Sequence, residues 1–134
     1  MSLDIEIYTQ APVDSNFVRI TAEKCSGHFG PGSPPIDSPS FFVTSEDAPG
    51  YRVETYHNQF GADISSKVHV RVNKFPDIDE NLWNAMEFTS TVFDTLKCDM
   101  VIVEMIDTPI AVRVAGVVSL LSQCEEAWEL HLSK

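Results

Sequence analysis

The chain has 134 residues, the usual size of one domain, and 43% of them are hydrophobic. Its 20 acidic residues outnumber its nine basic ones, which gives a formal net charge of −11. Nucleic acids and anionic membranes bind through clustered Lys and Arg, so this charge argues against both as partners. The same charge would attract a basic protein. We expect one domain over residues 1–134.

Cysteine use and hydropathy predict the compartment. Cys25, Cys98 and Cys124 are widely spaced and form no CxxC pair, which is typical of free thiols in a reducing compartment. The first ten residues lack the basic segment and the apolar core of a signal peptide. The most apolar stretch, Ile110 to Leu121, is shorter than the roughly 20 residues that cross a bilayer. We expect a cytoplasmic protein.

The N-terminal third predicts a strand, a short helix and a long loop. Residues 3–8 alternate apolar and polar side chains, the period of a strand with one buried face. Asp14 or Ser15 can cap a helix over about residues 15–25. Residues 26–40 contain four prolines and three glycines, a composition that predicts a long Pro/Gly-rich loop. Such a loop is either a functional segment or a plain surface connection.

The next segments alternate in the same way as the first strand. Residues 41–45 predict a short strand, and residues 51–58 and 66–74 predict a hairpin. In this hairpin His57 would lie near His69, and such a pair could titrate together or supply half of a metal site. The alternative is that the two histidines are unrelated.

The strongest pattern is a long helix. Between Pro76 and Lys97 apolar residues recur at steps of three and four, and Asp77 with Glu80 has the spacing of a capping box. We expect a helix over about residues 77–97. Its polar face is acidic, and acidic residues continue into the turns that follow. We predict that a basic partner binds five of them: Asp79, Glu80, Glu87, Asp94 and Asp107. A solvated helix face is the alternative.

The C-terminal third predicts three more strands, over residues 100–105, 110–114 and 117–121. Ala115–Gly116 separates the last two, and residues 122–134 could form a short helix or an extended tail. The order of elements lacks a regular strand–helix–strand alternation. We therefore expect an α+β fold: one antiparallel or mixed sheet of about five to seven strands, with the 77–97 and 15–25 helices on one face.

The chain contains no strong catalytic or ligand motif. Cys25 and His28, beside the 26–40 loop, are the only neighbouring cysteine and histidine, and a small enzyme or ligand-binding site there is an alternative function. Residues 27–32 lack the glycine order of a phosphate loop. Residues 77–80 lack the glycine and the frame of a calcium loop, and helix capping explains them better. We expect no catalytic residue, no metal and no cofactor.

Three segments within about residues 66–122 match a known order of elements: KVHVRVNKF, PDIDENLWNAMEFTSTVFDTLKCDMVIVEM and TPIAVRVAGVVSLLS. Together they read as a strand, a long helix, a strand and a hairpin with a glycine in its turn. This order resembles a family of small bacterial immunity proteins, which are similar to this chain in size. The family protects cells against toxins exchanged between siblings on the outer membrane and is known from swarming-inhibition systems. The pattern carries no site residues.

The resemblance, the acidity and the missing catalytic motif favour a non-catalytic cytoplasmic binding protein. The resemblance implies an immunity protein that neutralises a toxin by direct protein–protein contact, and the charge implies a basic toxin. The apolar region from Ile110 to Leu121 could instead pair with a second copy of the chain, so a homodimer is a further prediction.

Overall fold

The computed structural model describes residues 3–30, 39–105, 107–121 and 124–132. The strands are β1 (Leu3–Thr9), β2 (Gly27–Phe29), β3 (Phe41–Asp47), β4 (Ser66–Val72), β5 (Met100–Glu104), β6 (Thr108–Val114) and β7 (Val117–Leu120). The helices are α1 (Ser15–Lys24), α2 (Gly50–Phe60), α3 (Ile78–Thr95) and α4 (Glu126–Leu132).

The seven strands form one sheet in the order β2-β3-β4-β1-β5-β6-β7. β1 lies at the centre and pairs antiparallel with β4 and β5, whereas β2 and β3 are parallel. The expected α+β fold, with a sheet of five to seven strands, is confirmed, and the sheet is mixed. β1 was expected to bury one face, but both of its faces are buried.

The first face of the sheet is covered by α1, α3 and α4. Val18 of α1, Phe88 of α3 and Trp128 of α4 are buried and belong to one cluster with Ile5 and Ile7 of β1. A fully buried large apolar side chain contributes about 1.5–3 kcal/mol relative to an exposed one, so this cluster is the main stabilising core. The prediction that the long helix and the N-terminal helix share one face is confirmed.

Side-chain caps start α1 and α3 where the sequence predicts them. The Asp14 carboxylate accepts from the backbone N–H of Asn16 at 2.8 Å. The Asp77 carboxylate accepts from the N–H groups of Asp79 and Glu80, at 3.1 and 3.2 Å. A cap of this kind satisfies an N–H group that has no partner within the helix, and it stabilises the helix by about 1 kcal/mol.

The end of α3 is held by a cation from the sheet. The last turn of α3 contains no basic residue. Arg113 of β6 is buried and donates to the Leu96 carbonyl oxygen at 2.9 Å. Its guanidinium carbon lies 4.0 Å from the centre of the Phe93 ring. Burial lowers the pKa of Arg113, and the charge of Asp94 opposes the effect. The contact joins the helix C-terminus to β6.

The second face of the sheet is partly covered by α2, where the sequence predicted a strand. Pro49 precedes this helix, and Gly61 ends it in the left-handed conformation with φ +74°. Val53, Tyr56 and Phe60 recur at helical spacing and belong to the second apolar cluster. The spacing of apolar residues in this short segment fits both a strand and a helix. Pro49 and Gly61, at its two ends, favour the helix. The predicted hairpin over residues 51–74 is therefore wrong.

A tyrosine pair anchors α2 on this face. The ring centre of Tyr56 lies 5.3 Å from that of Tyr8 on β1. Three valines of β5 and β6 complete the cluster: Val101, Val103 and Val112. On the β3–β4 side of the same face, Glu46 and Arg71 are exposed. α2 therefore covers only part of the second face.

His57 and His69 have separate partners, because no hairpin joins them. His57 lies on α2, with Nδ1 at 2.9 Å from the Asp63 carboxylate. His69 lies on β4, with Nε2 at 2.8 Å from the Asp4 carboxylate. The two histidines are unrelated, as the alternative interpretation held.

The segment predicted as a loop over residues 26–40 contains the short strand β2. This strand pairs with β3, in the register Gly27 to Phe41. Residues 31–38, which include most of the prolines, lie outside the described residues. The Pro/Gly composition therefore hid a three-residue strand at the edge of the sheet.

The C-terminal third follows the prediction. β6 and β7 form a hairpin whose two turn residues, Ala115 and Gly116, both have positive φ, as a type I′ turn requires. Of the two alternatives for the last residues, the helix is correct, because α4 occupies Glu126–Leu132. None of the helices in the described ranges is long and apolar enough to cross a membrane.

Gly27→Ala is expected to destabilise the protein by about 1–3 kcal/mol, the usual cost of overpacking a core. An added Cβ would overlap Cε1 of the Phe41 ring. The Phe41 ring cannot move away, because it is fully buried and lies 5.3 Å from the Phe88 ring. Urea unfolding measures the change in the free energy of unfolding.

Gly50→Ala is the matched control, because its Cβ would meet no atom within 4 Å at the start of α2. We expect this variant to be neutral or more stable by up to about 1 kcal/mol. Equal stability of the two variants would contradict the packing of β2 against the core.

Glu104→Gln is expected to raise the free energy of unfolding at neutral and alkaline pH. Burial raises the pKa of Glu104, against the hydrogen bond that Trp128 Nε1 donates to its carboxylate. The folded state therefore binds the Glu104 proton more tightly than the unfolded state, and stability falls as pH rises through the raised pKa. Glutamine keeps an acceptor for Trp128 and carries no charge.

The measurement is urea unfolding of both proteins at several pH values from acid to alkaline. The advantage of the Glu104→Gln variant should shrink as pH falls and the wild-type carboxyl takes up its proton. Glu54→Gln, on the exposed side of α2, is the control. A Glu104→Gln profile parallel to the wild-type profile would refute this account of Glu104.

Candidate functional site

A polar cavity of about 250 Å³ lies on the second face of the sheet, where α2 leaves the β4 side uncovered. β1 and β4 form its floor, and the first turn of α2 forms a wall. Its lining residues are Asp4, Glu6, Tyr51, Arg52, Lys67, His69 and Arg71. We call this site the polar cavity.

Strand pairing brings the charged residues of the polar cavity together. In the antiparallel register of β1 and β4, Asp4 is opposite Arg71 and Glu6 is opposite His69. Directly opposed residues point to the same face, so the acids of β1 meet the bases of β4. The alternation of β4 was predicted, and in the structure Lys67, His69 and Arg71 alternate with the buried valines of the main core. Their carboxylate partners could not be predicted, because they lie more than 60 residues away in the chain.

Asp4 orients two basic side chains. It is 5% exposed, and its Oδ1 accepts from Nε2 of His69 at 2.8 Å and from Nε of Arg71 at 3.3 Å. Within the described residues, the two terminal amino groups of Arg71 have no hydrogen-bond partner. The Arg71 side chain is 59% exposed, so these groups lie on the open side of the cavity.

Glu6 has one satisfied oxygen and one unsatisfied oxygen. It is 6% exposed. Its Oε2 accepts from Nζ of Lys67 at 2.7 Å and from the hydroxyl of Tyr8 at 3.1 Å. Burial, and then the charge of Glu6, raise the pKa of Tyr8, so its hydroxyl stays a donor. Oε1 is buried and has no partner among the described residues. A buried carboxylate oxygen without a donor is rare, because no hydrogen bond offsets the free energy cost of removing it from water.

Arg52 closes the α2 side of the polar cavity. It donates to the Asp107 carboxylate at 2.9 Å and to the Tyr56 hydroxyl at 3.2 Å, and its guanidinium carbon lies 5.2 Å from the centre of the Tyr51 ring. Burial alone would lower the pKa of Arg52, but the hydrogen bond to Asp107 and the nearby tyrosines raise it. Arg52 is therefore a permanent cation at the wall of the cavity.

The five predicted partner-binding residues do not form one surface. Asp79, Glu80 and Glu87 are exposed on α3, and Asp94 is partly exposed near its end. The seven-residue steps from Glu80 to Glu87 and on to Asp94 keep these three on one side of the helix. Asp107 instead follows β5 and pairs with Arg52 beside the polar cavity. The structure therefore brings four of the five residues together along α3.

A tryptophan that sequence reasoning missed lies among these acids. Trp83 is 50% exposed on α3. Asp79 and Glu80 precede it by four and three residues and Glu87 follows it by four, so all three are its neighbours on the helix surface. We call these four residues the α3 surface. The signal in the sequence was a large aromatic residue on the acidic face of an amphipathic helix.

α4 packs against the α3 surface through His131. The ring of His131 lies edge-on to Trp83, with 4.5 Å between the ring centres. His131 is buried, its Nδ1 donates to the Ala127 carbonyl oxygen at 2.8 Å, and its Nε2 lies 2.9 Å from the Glu87 carboxylate. His131 therefore restrains the Trp83 ring and lies beside the Glu87 carboxylate.

Cys25 and His28 do not form a thiol–imidazole pair. Cys25 packs against the core on the first face of the sheet, where burial and then the charge of Glu87 raise the pKa of its thiol. The His28 ring lies 5.0 Å from the Phe42 ring, on the second face. A raised thiol pKa disfavours the thiolate that a nucleophile needs. Cys98 packs against the same core as Cys25.

The described ranges contain no group of three or more His, Cys, Asp or Glu side chains that could hold a metal ion. At the far edge of the sheet, β7 presents Val117 and Val118 to solvent. The predicted region for a homodimer therefore includes an edge strand, and the homodimer stays a prediction.

Comparison with family models, with curated proteins and with solved structures finds no match to this chain. The resemblance to immunity proteins stays a prediction, and a function is inferred below from the α3 surface and the polar cavity.

Proposed function

We propose that this protein binds a basic protein through the α3 surface, and that it acts as an immunity protein that neutralises a toxin by this contact. The observation that carries the proposal is Trp83, whose large ring is half exposed among three carboxylates. The net charge of the chain indicates a basic partner, and the family resemblance indicates that this partner is a toxin.

Trp83 has the properties of a binding anchor. Tryptophan is enriched among the few residues that dominate the affinity of protein interfaces, and such residues are surrounded by groups that exclude water. The contact with His131 restrains the ring before any partner arrives. An ordered side chain loses less conformational entropy on binding, which favours affinity.

The carboxylates supply attraction and orientation. Asp79, Glu80 and Glu87 flank the ring, and the whole chain carries a net charge of −11. A charge of this size speeds the approach of a basic partner and selects against acidic ones. A toxin that acts on nucleic acid has a basic surface for phosphates, and carboxylates on a helix can occupy that surface in their place.

The alternative of an enzyme beside the 26–40 loop has less support. Cys25 and His28 face opposite sides of the sheet, and the thiol pKa is raised rather than lowered. A catalytic cysteine needs the opposite arrangement.

Trp83→Ala should weaken binding of the partner by about 2 kcal/mol or more, which is roughly 30-fold in Kd. The partner is obtained by crosslinking the full chain in a lysate of its native host and then producing the captured protein in pure form. Kd is measured by calorimetry. Tyr51→Ala is the matched control, because Tyr51 is an exposed aromatic residue on the other side of the sheet. It should leave Kd unchanged.

The double variant Asp79→Asn, Glu80→Gln should slow association and reduce its dependence on salt. Coexpression tests the immunity role: the wild type should restore growth of cells that produce the captured partner, and Trp83→Ala should not. A non-toxic or acidic partner, or one that binds Trp83→Ala as tightly as the wild type, would rule the proposal out.

A further inference from the structure

We propose that the polar cavity binds a small organic acid that also carries a hydroxyl or ammonium group, as amino acids and hydroxy acids do. The acid group binds the guanidinium of Arg71, and the hydroxyl or ammonium group donates to Oε1 of Glu6. This site lies on the second face of the sheet and is independent of the proposed function.

The polar cavity brings together cations of a protein whose net charge is −11. Three of the nine basic residues line it, namely Arg52, Lys67 and Arg71, against two carboxylates. Asp107 and Glu46, beside the lining, pair with Arg52 and Lys67 at 2.9 and 3.7 Å and offset their charges. Arg71, whose side chain is 59% exposed, is therefore the cation that attracts a small anion to this site.

Arg71 supplies the group that recognises an acid. Asp4 holds its Nε at 3.3 Å, which leaves the two terminal amino groups without a partner among the described residues. A guanidinium whose Nε is bound in this way can still donate two parallel hydrogen bonds, one from each terminal amino group, to a carboxylate or a phosphate. The buried Asp4 also holds His69, so the basic side of the site is ordered before a ligand binds.

Glu6 supplies the second contact. In the part of the chain that the structure describes, Tyr8 and Lys67 are the donors that reach this carboxylate. Both bind Oε2, and Oε1 is left buried without a partner there. A ligand hydroxyl or ammonium group would satisfy that oxygen. To reach it, the ligand displaces a lining side chain. Lys67 can move, because the Glu46 carboxylate lies 3.7 Å from its Nζ and offers a second partner.

The size of the site limits the ligand. Glu6 is opposite His69 and Arg71 is opposite Asp4, so Glu6 and Arg71 are diagonal neighbours, about 7–8 Å apart along such a pair of strands. The cavity volume of about 250 Å³ is below the range of sites for drug-sized ligands. The ligand therefore carries its acid group and its donor only a few bonds apart. Tyr51, exposed at the rim, can cover its carbon atoms.

The experiment is an NMR titration of the full chain, labelled with ¹⁵N, with L-serine and with lactate. Each compound combines an acid group with a neighbouring donor. We expect saturable shifts in the amides of β1 and β4, with Kd in the millimolar range or tighter for at least one of them. Acetate lacks the donor and ethanolamine lacks the acid group, so each should bind at least about tenfold more weakly.

Two variants assign the contacts. Arg71→Met should weaken binding of the better compound by about tenfold or more, and so should Glu6→Gln for a ligand that offers an ammonium group. Arg19→Met is the matched control, because Arg19 is an exposed arginine of α1 on the other face of the sheet. It should bind as the wild type does. The amide spectrum of each variant shows that it is folded.

Three results would overturn the proposal: no saturable shift at β1 and β4 with either compound, unchanged binding in Arg71→Met, or acetate binding as tightly as the better compound. Trp83→Ala separates this proposal from the proposed function. That variant should lose the protein partner and keep the small ligand, because the α3 surface and the polar cavity lie on opposite faces of the sheet.

Discussion

The pairing of β1 with β4 is the constraint on which the rest of the structure depends. β1 is the central strand, and its alternation sends Ile5 and Ile7 into the main core and Asp4 and Glu6 to the opposite, buried side. Buried carboxylates need donors, and β4 supplies them in register. A slip of one residue would place the acids of β1 in the apolar core. The charge network therefore favours the same register as the apolar residues do.

Patterns within a short stretch of sequence correctly predicted the helices and strands that depend on that stretch alone. The long helix α3 was predicted because its apolar spacing and its Asp77 cap both indicate a helix that begins there. β4 was predicted from the alternation of its apolar and polar residues. α2 was missed because an eleven-residue segment with few apolar residues fits both a strand and a helix period. Pro49 before it and Gly61 after it were the deciding signals. The contact of Arg113 with the end of α3 joins a strand to a helix 17 residues before it, and periodicity carries no information about such a contact.

The two candidate surfaces differ in how far sequence reasoning could reach them. Four of the five predicted acidic residues lie along α3, because one helix face is a local property. Asp107 lies apart from the other four, since the position of a turn depends on the sheet around it. The polar cavity was not foreseen at all. Its acids and bases come from strands that meet only in the folded chain, and its clearest mark, the unpartnered oxygen of Glu6, exists only in three dimensions.

The central position of β1 also has a consequence for biosynthesis. β1 leaves the ribosome about sixty residues ahead of β4, and further still ahead of β5, so it must wait for both neighbours. A purely apolar strand in that situation would pair readily with other nascent chains. Asp4 and Glu6 keep β1 charged on one side until Lys67, His69 and Arg71 emerge. The carboxylates that later form the floor of the polar cavity thus act first as gatekeepers against aggregation.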